Sequence, residues 1–162
     1  MEPFAIHAVA VGAGHVALSP LPGRTEEYAR DLDVIRRWRP GLVISMTTSP
    51  EMAQAGAGTL GDDLRAEGIS WTHLPIVDFG APSPDTEAAW PQISQSAAHI
   101  LARGGRVLVH CRGGCGRSGM IALRLMVEQG IAPDAALRRL RAVRPCAVET
   151  DGQMRWATCA PD

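Results

Sequence analysis

Between residues 106 and 130 the chain passes from a short apolar run, Val107-Leu108-Val109, through Cys111-Arg112-Gly113-Gly114-Cys115-Gly116-Arg117-Ser118, into a long apolar stretch stopped by Gly130. A β-branched apolar run of this length reads as a strand buried on both faces, and residues 118–129 read as a buried helix. A buried strand that feeds a buried helix through a glycine turn needs parallel neighbours and covering helices. This segment, with the alternation of strand-like and helix-like stretches around it, argues for an α/β domain.

The rest of the chain alternates in the same way. Residues 7–11 and 16–18 read as strands around Gly12 and Gly14, 42–46 and 69–74 as two more, and 106–110 as the one described above. Residues 25–38 have helical spacing, with Leu32, Ile35 and Trp38 on one side and Pro40-Gly41 as the stop. Residues 51–67 look like one glycine-interrupted helix. Residues 86–103 read as a helix in which Pro91 is tolerable only near the first turn, and 133–143 and 151–158 as two more. The expected fold is α/β, a central mainly parallel sheet flanked by helices, as a single domain over 1–162. A ligand would sit where strands end and helices begin.

Charge and composition remove several classes of function. The net charge is −1 with no long run of one sign, so no broad nucleic-acid or membrane face is expected. All sixteen basic residues are arginine, which excludes a lysine Schiff base and a lysine-bearing nucleotide loop. No apolar run approaches the ~18 residues of a membrane helix. Met1-Glu2-Pro3-Phe4 does not read as a signal peptide. The expectation is a cytoplasmic protein with Cys111, Cys115, Cys146 and Cys159 reduced.

The glycine turn carries the chemistry. A strand-to-helix turn of this kind aims successive backbone N–H groups at one point, and the helix start adds free donors. Cys111 opens this anion cradle and Arg117 closes it, with five residues between. The positive field favours the thiolate of Cys111. Arg117 offers a planar fork for two phosphate oxygens, and the Ser118 hydroxyl can donate to the Cys111 sulfur. The plain alternative is a strand-to-helix turn with a buried cysteine.

His110-Cys111-x5-Arg117-Ser118 resembles the signature loop of the cysteine-dependent protein tyrosine phosphatases. The glycine pattern and chain length are similar to the small dual-specificity group, especially the kinase-associated phosphatase type and its bacterial relatives. His73-Leu74-Pro75-Ile76-Val77-Asp78-Phe79-Gly80-Ala81-Pro82 resembles that group's general-acid loop, and Val148-Glu149-Thr150-Asp151-Gly152-Gln153 a segment near the end of such domains. The resemblance implies the protein tyrosine phosphatase-like fold and a metal-independent, cofactor-free phosphomonoesterase reaction in two steps through a cysteinyl phosphate. It implies Cys111 as nucleophile, Arg117 as phosphate binder, Ser118 as helper of the leaving sulfur, and His110 as the residue that holds the loop. The amides of Arg112, Gly113, Gly114, Cys115, Gly116 and Arg117 would bind the phosphate oxygens.

The leaving oxygen needs a proton, and Asp78 is the expected general acid. Asp85 is its rival on the same loop, with an alternative reading as a helix N-cap. Asp31, Asp33, Asp62 and Asp63 are expected on solvated helix faces. Gln153 either positions the hydrolytic water or fixes its loop. Cys115 reads as a tolerated loop residue that could alternatively pair with Cys111 under oxidation. Arg138, Arg139, Arg141 and Arg144 read as a solvated basic face. The expected substrate is a phosphotyrosine or phosphoserine/threonine protein. A phosphoinositide or a small phosphate ester is the alternative substrate, and a non-catalytic phosphate-binding module the alternative class.

Overall fold

A computed structural model describes residues 2–159. The elements in chain order are β1 (His7–Val11), β2 (Gly14–Ser19), α1 (Tyr28–Trp38), β3 (Leu42–Ser45), α2 (Ser49–Gln54), α3 (Leu60–Ala66), β4 (Ser70–His73), α4 (Pro84–Ala102), β5 (Arg106–His110), α5 (Gly116–Glu128), α6 (Pro133–Val143) and α7 (Asp151–Thr158). The five strands form one sheet in the order β1-β2-β5-β3-β4. β2, β5, β3 and β4 run parallel, and β1 joins the edge as an antiparallel hairpin partner of β2. The expected α/β class with a mainly parallel sheet is what forms.

Side-chain alternation along the inner strands divides the core into two layers. Val16, Leu18, Leu42, Ile44, Val107 and Val109 face a cluster completed by α4, α5 and α7. Ala17, Val43 and Leu108 face the other, completed by Leu32 and Ile35 of α1, Met52 of α2, and Leu60 and Leu64 of α3. Both faces of β5 are covered, which explains its continuous apolar run. In the sheet register Ser19, His110 and Ser45 lie side by side at the carboxyl ends of β2, β5 and β3. The loops that follow these strands therefore gather at one edge of the sheet, around the start of α5. Among the described residues no helix is long and apolar enough to cross a membrane.

Several local expectations are corrected. Residues 51–67 form two helices, because Gly56 adopts φ +73 and breaks the run before α3. α1 begins only at Tyr28, after Glu26 at φ 66. Pro91 lies well inside α4, on its exposed face, where water can take the carbonyl that its missing N–H leaves free. The N-cap of α4 is Ser83, whose hydroxyl accepts from the Thr86 N–H at 3.3 Å, so Asp85 is a first-turn residue rather than the cap. Asp31 is buried, and its carboxylate takes the Gly23 N–H at 2.9 Å.

Candidate active site

The loop between β5 and α5 is held from four sides. Met46 N–H donates to the His110 carbonyl (3.0 Å) and Leu21 N–H to the Arg112 carbonyl (3.1 Å). Gly114 sits at φ +74, and a side chain there would come within 2.8 Å of the Pro20 nitrogen. Only glycine fits this close approach in that conformation. From the far side, Arg144 donates to the carbonyls of Gly113 (2.9 Å) and Gly114 (3.1 Å). Each carbonyl drawn outward to Arg144 turns the following peptide N–H the opposite way.

Cys111 is buried at the base of this loop, with its sulfur 3.2 Å from the Ser118 hydroxyl. His110 behind it is fully buried. Its Nδ1 faces the Cys111 carbonyl at 3.3 Å, an acceptor only, so Nδ1 carries the proton. Nε2 then accepts from the Ser45 hydroxyl (2.5 Å), whose oxygen takes the Trp71 indole N–H (2.8 Å). Burial pushes His110 down to about 4, helped by the charges of His73 and Arg117 and opposed by the Cys111 carbonyl and Glu51, so the imidazole is neutral at physiological pH.

Arg117 is 1% exposed. Its NH1 and NH2 grip both oxygens of Glu51 at 2.8 and 2.9 Å, and NH1 also donates to the Ile76 carbonyl at 2.9 Å. Its Nε is buried without a partner. That N–H, with the remaining hydrogen on NH2, is the edge left for a bound oxyanion. Burial works against the charge, but Glu51, Cys111 and Asp78 together raise Arg117 above its ordinary value. Its hydrogen bonds outweigh burial and hold Glu51 at about 2. Glu51 was missed by the sequence reading. Its one local signal is the capping box with Thr48, which pins the carboxylate by the Thr48 N–H at 3.1 Å.

Asp78 reaches the same point from the loop after β4, 3.4 Å from Arg117 NH2 and about half exposed. The next residue, Phe79, has φ 62, a sparsely populated conformation for a bulky side chain. Val77 and Phe79 are both exposed. Asp78, Phe79, Cys111, Arg112, Gly113 and Cys115 line a cleft of about 320 Å³, joined by Glu2, Arg24, Arg144 and Glu149. The structure thus brings Cys111, Ser118, Arg117, Asp78 and His110 together, and does not bring Asp85 to the cleft lining.

Two expectations change here, and Gln153 makes the contacts of the second of its two alternatives. Cys115 forms a disulfide with Cys146, a sequence separation of 31, instead of standing as a free loop thiol or pairing with Cys111. Cys111 and Cys159 stay free. The two bridged cysteines come together because the Cys115 carbonyl takes the Val148 N–H at 3.2 Å and the Arg144 carbonyl the Ala147 N–H at 3.0 Å. Arg144 leaves the supposed solvated face: it is buried and paired to Glu2 as well as to the loop. Gln153 is fully buried and does not line the cleft. Its Oε1 accepts from the N–H of Glu149 (2.9 Å) and Thr150 (3.3 Å), and its Nε2 donates to the Gly80 carbonyl (3.2 Å). It fixes the Asp78 loop to the start of α7, and Glu149 is the residue of that segment that faces the cleft.

Comparison with known proteins gives the family and the fold. A family model described as the catalytic domain of dual specificity phosphatases matches residues 43–158. Cyclin-dependent kinase inhibitor 3 of Rattus norvegicus is 35% identical over 117 residues, 70% of this chain and 54% of that protein. The Mus musculus protein of the same name is 32% identical over 129 residues, 78% of this chain and 60% of its own length. The chain therefore spans little more than half of these relatives. Among solved structures, kinase associated phosphatase with its catalytic site cysteine changed to serine superposes with a TM-score of 0.82 at 23% identity, covering 97% of this chain and 93% of that one. Tk-PTP in its active form superposes with a TM-score of 0.69 at 32% identity, covering 87% of each chain.

Proposed function

The chain belongs to the family of dual specificity phosphatase catalytic domains, and from that membership we propose that it hydrolyses phosphate monoesters on proteins, phosphotyrosine or phosphoserine/threonine, through a cysteinyl phosphate on Cys111. The observation that carries this is the free Cys111 sulfur 3.2 Å from Ser118 Oγ, in a loop whose arginine keeps one buried donor edge unused. The Cys111 sulfur attacks phosphorus, and the bond to the ester oxygen breaks. Asp78 gives that oxygen its proton. The loop amides from Arg112 to Arg117, with the Nε edge of Arg117, take the charge spread over the phosphate oxygens. Water then attacks the phosphocysteine, its proton passes to Asp78, and Ser118 donates to the departing sulfur. The neutral His110 holds the Cys111 peptide.

The reading covers residues 1–162 as one domain, supported by the place of β1 and β2 in the same sheet as β5. It includes the expected cytoplasmic setting, against which the Cys115–Cys146 disulfide counts, because a reducing compartment would keep those two thiols free. The test is metal-free turnover of para-nitrophenyl phosphate and phosphopeptides, inhibition by vanadate, and Cys111→Ser as the blank. Activity of Cys111→Ser within tenfold of wild type, or a requirement for zinc or magnesium after chelation, would sink the covalent mechanism.

A further inference from the structure

The imidazole of His110 ends a chain of hydrogen bonds that starts on the edge strand of the sheet. Val43, Leu108 and Trp71 share the sheet face under α1, α2 and α3. Strand alternation puts Ser45, two residues beyond Val43, and His110, two beyond Leu108, on the same face. The Trp71 indole N–H donates to Ser45 Oγ at 2.8 Å, Ser45 Oγ meets His110 Nε2 at 2.5 Å, and His110 Nδ1 meets the Cys111 carbonyl at 3.3 Å. Ser45 and His110 are fully buried, and among the described residues the Ser45 hydroxyl has no third partner. An indole N–H only donates and a carbonyl only accepts, so both ends of the chain have a fixed sense. With the proton on Nδ1, every donor meets an acceptor. With the proton on Nε2, Ser45 Oγ would face two donors while its own hydrogen had no acceptor, and the bare Nδ1 would face the Cys111 oxygen. Buried polar groups left in that state are costly.

Three neighbours set the position of Trp71. Gly61 lies in α3, where glycine weakens a helix, and a side chain there would come within 2.5 Å of the indole ring. The Arg65 guanidinium covers the ring at 5.1 Å, and His73 stacks on it at 5.3 Å. Resting on the phosphatase reading above, we propose that Trp71, acting through Ser45, is a positioning residue for the reaction: its N–H fixes His110 as the Nδ1–H tautomer, and that tautomer sets the first peptide of the phosphate cradle. The Cys111 carbonyl is held on the side of His110, which turns the following N–H, that of Arg112, the opposite way, towards the bound phosphate. Neither Trp71 nor Ser45 lines the cleft, so each acts only through His110.

The test compares wild type with Trp71→Phe, which keeps an aromatic ring and removes the N–H, and with Arg65→Gln, which removes the cation over the ring and keeps the N–H. In wild type, long-range proton–nitrogen correlation spectra should show His110 with a protonated Nδ1 and a bare Nε2. In Trp71→Phe the two ring-nitrogen shifts should move towards each other as the tautomers mix. Its kcat/KM for para-nitrophenyl phosphate should fall on the order of tenfold, the scale of one hydrogen bond in a dry site. Tungstate should bind the Cys111→Ser protein several-fold more weakly once Trp71→Phe is added. Arg65→Gln should leave the shifts, the rate and tungstate binding unchanged. Benzothienylalanine at position 71 has the indole shape with sulfur in place of the N–H. It should reproduce the Trp71→Phe changes, and it decides the matter where Trp71→Phe does not fold. Unmoved nitrogen shifts in the proteins lacking the N–H overturn the tautomer lock. Mixed tautomers with unchanged kcat/KM and tungstate affinity overturn its role in the reaction, and so do equal losses in Arg65→Gln. If wild type turns over no phosphate ester, the phosphatase reading has failed. The nitrogen shifts and tungstate binding then still decide whether Trp71 positions the cradle: changes in both support it, and no change in either overturns it.

Discussion

Arg117 is a full charge in a nearly dry setting, and Glu51 is what makes that tolerable. Glu51→Gln leaves the guanidinium with backbone carbonyls and a partly exposed Asp78. The expected cost is about 3 kcal/mol of stability, since breaking a buried pair strands its partner. Because Glu51 is depressed to about 2 when folded, its contribution is complete above its unfolded value near 4.5 and is lost as pH falls through about 2. Denaturant titrations of the two proteins should therefore differ most near neutrality and converge in strong acid. A misdirected Arg117 should also lower kcat/KM on the order of 10²-fold. Asp78→Asn tests a different role. With a phosphopeptide the loss should be about 10²–10⁴-fold and the falling limb of the pH profile should flatten, whereas an activated phenol ester should lose far less. If Asp85→Asn flattens that limb and Asp78→Asn does not, the wrong carboxylate has been named. Cys111, Arg117 and Ser118 could be singled out in the sequence because they lie in one short loop and are chemically distinctive. Glu51 was not, because nothing in its neighbourhood says that a chain segment 66 residues away delivers an arginine to it.

Two restraints fasten the β5–α5 loop to the segment between α6 and α7: the Cys115–Cys146 disulfide and the donors of Arg144. The helices themselves were readable from the sequence, α5 as a continuous apolar stretch that is buried from Gly116 to Met126 and α6 from the helical spacing that buries Ala136 and Leu140. This strap was not, because cysteine spacing does not reveal pairing and an arginine at a helix end looks solvated until its partners are known. Cys146→Ser removes a cross-link across 31 residues, and the expected loss is about 3–4 kcal/mol, or roughly 10 °C in Tm. Reductant should produce the same fall in wild type and add nothing in the mutant. Iodoacetamide should label Cys111 in wild type, where Cys115 and Cys146 are bridged, and should label the freed Cys115 as well in the mutant. Equal melting of the mutant and the unreduced wild type would mean that the bridge is open in solution.

At the scale of the whole molecule, the family match covers residues 43–158, yet the fold closes only with the chain before it. β2 supplies five parallel register pairs along one edge of β5, from His15 with Arg106 to Ser19 with His110. Val16, Leu18, Leu21, Leu32 and Ile35 are all buried and all lie outside the matched range. At about 1.5–3 kcal/mol for each buried side chain, their removal forfeits on the order of 10 kcal/mol, comparable to the whole net stability of a domain this size. The site would suffer as well: the Leu21 N–H leaves the Arg112 carbonyl, and Gly114 loses the Ser19–Pro20 surface on which it packs. A fragment of residues 43–158 would also expose the N–H and C=O groups of β5 as a new sheet edge, a template for aggregation. The fragment should therefore be aggregated or unfolded by circular dichroism and size-exclusion chromatography and should turn over no para-nitrophenyl phosphate, while the 162-residue chain melts as one cooperative unit. A monomeric, folded and active fragment would show that the N-terminal hairpin and α1 are an accessory to the domain rather than part of it.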